Sequence, residues 1–293
     1  MADSSSSFGK KLLKVFLVFM GMASCCCCLG IDVLLELGSE WDLGSLDSLG
    51  GPPADLGSAL TPLDTLPHEI QSYEWRVKSL SPQKHRLNYG LGTALANKLE
   101  REHKEFGQRL NYRSVGGGKF TFRASEECVE DLRCIYDELM RSNNTRPVRE
   151  LGERFADYIR THQLSQAQAA DLIVGFVQRI RYELPPDEVP FGIYPPALVP
   201  AKDRGDCDSK AVLAVMLLRQ VGIDAVVLYS APLAHAAVGV GLPGSGTSLR
   251  LGGRSYRYTE ITNEGWPIGM IPPDHNKLHL WTVMPPPPEA RRR

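Results

Sequence analysis

The apolar positions of the chain's second half follow two periods in turn. Between Gln166 and Arg181, the residues Ala169, Leu172, Ile173, Phe176, Val177 and Ile180 recur at helical spacing, with Ser165 placed as an N-cap. Residues 126–142 and 147–162 read as helices in the same way. A further helix opens at Cys207, carries the apolar run Val212 to Leu218 and ends near Gln220. Beyond it the segments shorten. Residues 223–230, 235–242, 249–251, 255–262 and 278–284 read as strands, with Pro243-Gly244-Ser245-Gly246-Thr247 as a connecting turn. A helix followed by several antiparallel strands predicts an α+β fold class rather than an alternating one.

The first half carries weaker signals. Residues 67–110 suit one or two helices, the clearest over 92–106, so 67–144 is expected to form a helical N-terminal region. Residues 38–66 are rich in Gly, Ser, Leu, Asp and Pro and read as a flexible linker. Val115-Gly116-Gly117-Gly118-Lys119 has neither a preceding strand nor a following Gly-Lys-Ser/Thr, so it reads as a turn and not as a phosphate loop. The proline-rich stretch 184–200 predicts an extended crossing that leads into the Cys207 segment and forms one wall of a cleft.

At the start of the chain, Lys10, Lys11 and Lys14 precede an uncharged run from Val15 to Ile31, and Asp32, Glu36, Glu40 and Asp42 follow it. That order predicts attachment to a membrane through residues 1–37, with the N-terminus cytoplasmic and the bulk of the chain extracytoplasmic, on the periplasmic or cell-surface side. Met22-Ala23-Ser24-Cys25 resembles a bacterial lipobox, so both a lipoprotein signal and a spanning anchor fit.

Composition narrows the classes of partner. The 293 residues are 43% hydrophobic and 23% charged, enough for an ordinary core. With 33 basic and 34 acidic side chains the net charge is −1, which lacks the basic excess of a nucleic-acid binder. Arg291-Arg292-Arg293, within the tail 286–293, reads as solvated charge. Seven cysteines include the run Cys25 to Cys28 and show no zinc spacing. Cys128 and Cys134, six apart on a predicted helix, point about 240° apart and are not expected to pair with each other. His275 and His279, after Pro272-Pro273 and before Trp281-Thr282-Val283, read as loop and strand residues rather than metal ligands. No calcium loop is present, and no cofactor or metal is expected.

The chemistry concentrates in Gly205-Asp206-Cys207-Asp208-Ser209-Lys210-Ala211. A cysteine at the start of a helix faces free N–H groups and the positive end of the helix dipole, which predicts a thiol pKa below the ordinary value of roughly 8.5. His235 opens one predicted strand and Glu260 lies on another. A thiol, then a histidine, then a carboxylate is the set needed for a nucleophile, its base and the group that orients the base. Ser209 reads as a helix-terminus hydroxyl. Gln178 and Tyr194 are candidates for binding a developing oxyanion, beside the backbone N–H at the helix start.

These segments, with Phe176-Val177-Gln178-Arg179-Ile180-Arg181-Tyr182, Tyr194-Pro195-Pro196 and Trp266-Pro267-Ile268-Gly269, resemble a bacterial transglutaminase-like domain over 145–285. That superfamily includes cysteine peptidases. The resemblance implies a papain-like helix bearing the cysteine, packed on an antiparallel sheet bearing the histidine and the acid. The usual third residue there is aspartate, and here it is Glu260. It further implies acyl transfer on amide bonds of a protein or peptide substrate through a thioester, opened by water in a peptidase or amidase, or by an amine in transglutaminase-type cross-linking. Exposure to water outside the cytoplasm favours hydrolysis. The rival readings are an inactive domain that binds peptide in the same cleft, and a structural envelope protein.

Overall fold

The computed structural model describes residues 52–60, 68–117, 119–124, 132–141 and 143–285. In chain order, strands β1 (Ala54–Leu60), β2 (His68–Arg76) and β3 (Lys84–Gly92) precede helix α1 (Thr93–Arg109) and the short strands β4 (Arg113–Gly116) and β5 (Lys119–Thr121). Three helices follow, α2 (Arg133–Arg141), α3 (Thr145–Thr161) and α4 (Gln166–Arg179). Strand β6 (Arg181–Tyr182), helix α5 (Leu198–Lys202) and strand β7 (Arg204–Gly205) lead into helix α6 (Cys207–Gln220). Strands β8 (Ala225–Ser230), β9 (His235–Val240), β10 (Ser248–Leu251), β11 (Arg254–Thr259) and β12 (Thr282–Met284) complete the described chain.

The last five strands form one sheet in the order β10-β11-β9-β8-β12, with every neighbouring pair antiparallel. Helix α6 packs on β8 and β9, and α3 and α4 pack on α6. Every residue of α6 from Cys207 to Leu218 is buried, because sheet and helices enclose it on all sides. Ser165 caps α4 in a complete capping box with Gln168. The result is a mixed helix-and-sheet fold, and it carries the expected helices and strands from residue 145 onward with shifts of a few residues at their ends.

The first half departs from the sequence reading. Residues 68–92 are not helical: β2 and β3 pair antiparallel, and β1 adds to β3 in parallel. The helix expected over 92–106 is present as α1. The physical reason for the strands is an alternation with period two. His85, Leu87, Tyr89 and Leu91 are buried, while Lys84 is exposed and Arg86 and Asn88 are only partly covered. Residues 54–60, read as part of a flexible linker, are strand β1, with Leu56 and Ala59 buried. The remainder of 38–66 and the anchor segment 1–37 lie outside the described residues, apart from 52 and 53. Among the described residues no helix is long and apolar enough to cross a membrane.

This first sheet covers the outer side of the helices. Trp75 Nε1 donates to Leu172 O at 3.1 Å, and the indole meets Phe176 edge-on with ring centroids 5.5 Å apart. Tyr73 and Tyr89 donate to the carbonyls of Pro200 and Ala197. One continuous core therefore runs from Leu56 through α4 and α6 to Met284, with no seam at residue 145. Cys134, in the first turn of α2, is disulfide-bonded.

Candidate active site

Asp206 caps α6 by accepting from Ser209 N at 2.9 Å, and this fixes the first turn on which Cys207 sits. Cys207 is the one free cysteine among the described residues, and it is 1% exposed. Its sulfur accepts from the backbone N–H of Ala236 and donates to Asp208 Oδ2 at 3.3 Å. The thiol is thereby seated against the start of β9, at the residue that follows His235 in the chain.

His235 opens β9, with its side chain nine-tenths buried. Its Nε2 lies 3.0 Å from Glu260 Oε2. Glu260 follows the last residue of β11 rather than lying within the strand. The same carboxylate accepts from Tyr258 Oη at 3.0 Å, Ile261 N and Thr262 N at 2.9 Å, and Thr262 Oγ1 at 2.7 Å. Burial raises its pKa, but the bond from His235, the nearby His275 imidazole, the charge of His235 and the Thr262 hydroxyl outweigh this and hold it well below the carboxylate range. An ionised carboxylate has only acceptors, so Nε2 carries the ring proton toward Glu260. In the neutral ring Nδ1 then holds the lone pair.

The thiol differs from its sequence-based expectation. Burial, with Asp208 and Asp206 adding negative charge on either side, pushes Cys207 well above the ordinary thiol value, and only the Ala236 N–H pulls the other way. The helix start that was expected to lower the pKa also brings these two carboxylates within reach of the sulfur. Asp208 Oδ1 accepts from Tyr136 Oη, while burial and the neighbouring Asp208 raise Asp206 well above its ordinary value.

Residues 153–246 match the family model of the transglutaminase-like superfamily. The chain carries a transglutaminase-like domain. That match takes in Cys207 and His235 and stops before Glu260. Members of this superfamily are usually cysteine-dependent enzymes. No curated protein and no solved structure matches the chain.

Three residues of the transglutaminase-like domain hold its site in ways the sequence reading missed. Gln178, a candidate oxyanion donor, has its amide engaged elsewhere: Nε2 donates to Glu260 O at 2.7 Å and Trp266 O at 2.9 Å, while Oε1 accepts from Gly265 N at 3.2 Å. It therefore clamps the loop that carries Glu260. Tyr194, the other candidate, is buried and donates its backbone N–H to Ser209 Oγ at 2.8 Å, so the Ser209 hydroxyl ties α6 to the proline-rich segment. Lys210 is fully buried and donates to Ile180 O at 2.6 Å, Gln178 O at 3.3 Å and Thr262 O at 3.4 Å. Burial lowers its pKa to about 7, opposed by the charges of Glu260, Glu264, Asp203 and Cys207. A lysine among the apolar positions of a helix was the available signal.

Two further side chains face the group from its open side. Tyr182 on β6 is about half exposed and lies within electrostatic reach of Cys207, Asp206, Asp208 and Glu260. His275, in a 3-10 turn at Pro273–His275, stacks over His235 with ring centroids 4.3 Å apart. The stretch 184–200 is not extended throughout: it contains a 3-10 turn at Pro190–Gly192 and the start of α5.

Proposed function

We propose that this protein is a thiol enzyme that hydrolyses amide or peptide bonds, with Cys207 as nucleophile, His235 as base and Glu260 as the orienting carboxylate. The observation that carries the reading is the buried, five-donor Glu260 carboxylate holding His235 Nε2, beside a sulfur seated on the next residue's N–H. A helix bearing the cysteine against an antiparallel sheet is also the arrangement of a papain/transglutaminase-like core.

In this mechanism His235 Nδ1 takes the thiol proton as the sulfur bonds to the substrate carbonyl carbon. Because the resting thiol is held protonated, transfer to His235 accompanies attack instead of preceding it. The C–N bond then breaks, the amine leaves with that proton, and water opens the thioester. Transfer of the acyl group to an amine shares every step but the last.

The test uses p-nitrophenyl acetate, whose acetyl group reports acylation at any reactive thiol. Intact mass spectrometry should find one acetyl on Cys207, none in Cys207→Ala, and acylation at least about 100-fold slower in Glu260→Gln, whose amide cannot stabilise the imidazolium. Wild-type rates in Glu260→Gln would remove the carboxylate from the mechanism.

The proposed location is extracytoplasmic, at a membrane. It is supported by the disulfide at Cys134, since disulfides persist in oxidising compartments. Protease added to intact spheroplasts should digest the folded part and spare cytoplasmic markers. Recovery of the protein in the soluble cytoplasmic fraction would overturn this placement.

A further inference from the structure

His275 belongs to no step of the proposed reaction, yet it is built into the site. Its ring stacks on His235, and Trp281 lies edge-on to both imidazoles at 6.0 and 6.2 Å. Trp281 Nε1 also donates to His275 O at 3.0 Å, which fixes the turn that presents the ring. His275 Nδ1 is buried without a hydrogen-bond partner among the described residues, 3.8 Å from Glu260 Oε2. A buried ring nitrogen left in this state calls for a partner.

We propose that His235, Glu260 and His275 form a binding site for a divalent cation of the zinc class, and that filling it takes His235 out of use as a base. One donor atom from each residue lies within 4.8 Å of the others. The His235 Nε2 to Glu260 Oε2 separation is 3.0 Å and that from His275 Nδ1 is 3.8 Å. Donors around a tetrahedral zinc at roughly 2.0–2.2 Å stand about 3.3 Å apart, close to both separations from Oε2. Two imidazoles and a carboxylate are zinc-type ligands, and three protein ligands leave a fourth position for water. Both histidines are partly open to solvent, which gives the ion a route in. Oε1 of Glu260 stays with its three donors, so Oε2 binds the metal. Binding moves the single ring proton of His235 from Nε2 to Nδ1, so the neutral imidazole gives its Nε2 lone pair to the metal and has none left on Nδ1 to take the thiol proton.

The regulatory half of this inference rests on the thiol-enzyme reading, and the experiment separates the two. Equilibrium dialysis of full-length Cys207→Ala against Zn²⁺, with the thiol removed as a ligand, should show one equivalent more than Cys207→Ala/His275→Ala. The exposed neighbour makes a control: Cys207→Ala/His279→Ala should keep that equivalent. His275→Gln replaces the alanine if the latter fails to fold. Equal stoichiometry with and without His275 would overturn the site. In the protein that retains Cys207, Zn²⁺ should slow acylation by p-nitrophenyl acetate, a chelator should restore it, and His275→Ala should raise the Zn²⁺ needed at least about tenfold, each rate read against that protein's own metal-free rate. A lost equivalent together with no acylation of Cys207 in metal-free wild type would leave the metal site standing and remove the enzyme reading. Normal acylation with no zinc equivalent would do the reverse.

Discussion

Cys207 lies between Asp206 and Asp208 with 1% of its surface exposed, and both burial and charge oppose its ionisation. Asp208 is the nearer influence, because it accepts directly from the thiol and is itself held by Tyr136. Asp208→Asn keeps the shape and removes the anion. An anion nearby raises an acid's pKa, so its removal should lower that of Cys207. The rate of iodoacetamide alkylation against pH should show a wild-type midpoint above the roughly 8.5 of a free thiol and a lower midpoint in Asp208→Asn. Coincident curves would mean that the sulfur does not feel the carboxylate. At this scale the identity of Cys207 as the candidate nucleophile was legible from residue type and position. Its titration was not, because that depends on how the helix turn aims two acidic side chains and on what covers the sulfur.

Strand β9 carries His235 at its first position and Gly239 next to its last. A Cβ at Gly239 would stand 2.7 Å from Val226 Cγ2, 2.9 Å from Tyr256 Cβ and 3.1 Å from Leu228 Cδ2, so the neighbours on β8 and β11 close over this glycine. Gly239→Ala is expected to destabilise the protein by about 1–3 kcal/mol through overpacking. Urea denaturation should show a lower midpoint at unchanged slope, and an unaltered midpoint would mean that the sheet absorbs the methyl group. Elements from residue 145 onward were legible because each carries one clean period: 3.6 in α4, two or a continuous apolar run in the strands. The strands at 68–76 and 84–92 also carried an alternation. In β2 it runs through Tyr73 and Trp75, but the other positions are polar or charged apart from Ile70, which is exposed, so the alternation is weak in the sequence.

At the scale of the molecule, the first sheet and the site-bearing domain share one core. Trp75 and Tyr73 pack on Phe176 of α4, and α2 supplies the Tyr136 that holds Asp208. A chain beginning at residue 145 would expose these apolar faces and leave the Leu172, Ala197 and Pro200 carbonyls without their donors. Such a chain is expected to lose cooperative unfolding and to bind a hydrophobic dye, as seen in a urea melt followed by near-UV circular dichroism. A sharp two-state transition would establish that residues 145–285 fold alone.

The sequence by itself determined the order of chemical groups, a mixed helix-and-sheet class and the helices and strands of the second half. Residue type, capping and periodicity are local properties, and these features depend on little else. The tertiary structure decided that the Gln178 amide serves the Glu260 loop, that Lys210 is buried on three carbonyls, that the thiol is raised instead of lowered, and that His275 meets the same carboxylate as His235. Each of these depends on groups distant in the chain being brought within a few ångströms in a medium from which water is excluded. Hydrogen-bond geometry and charge at such distances follow from packing, and no spacing along the sequence encodes them.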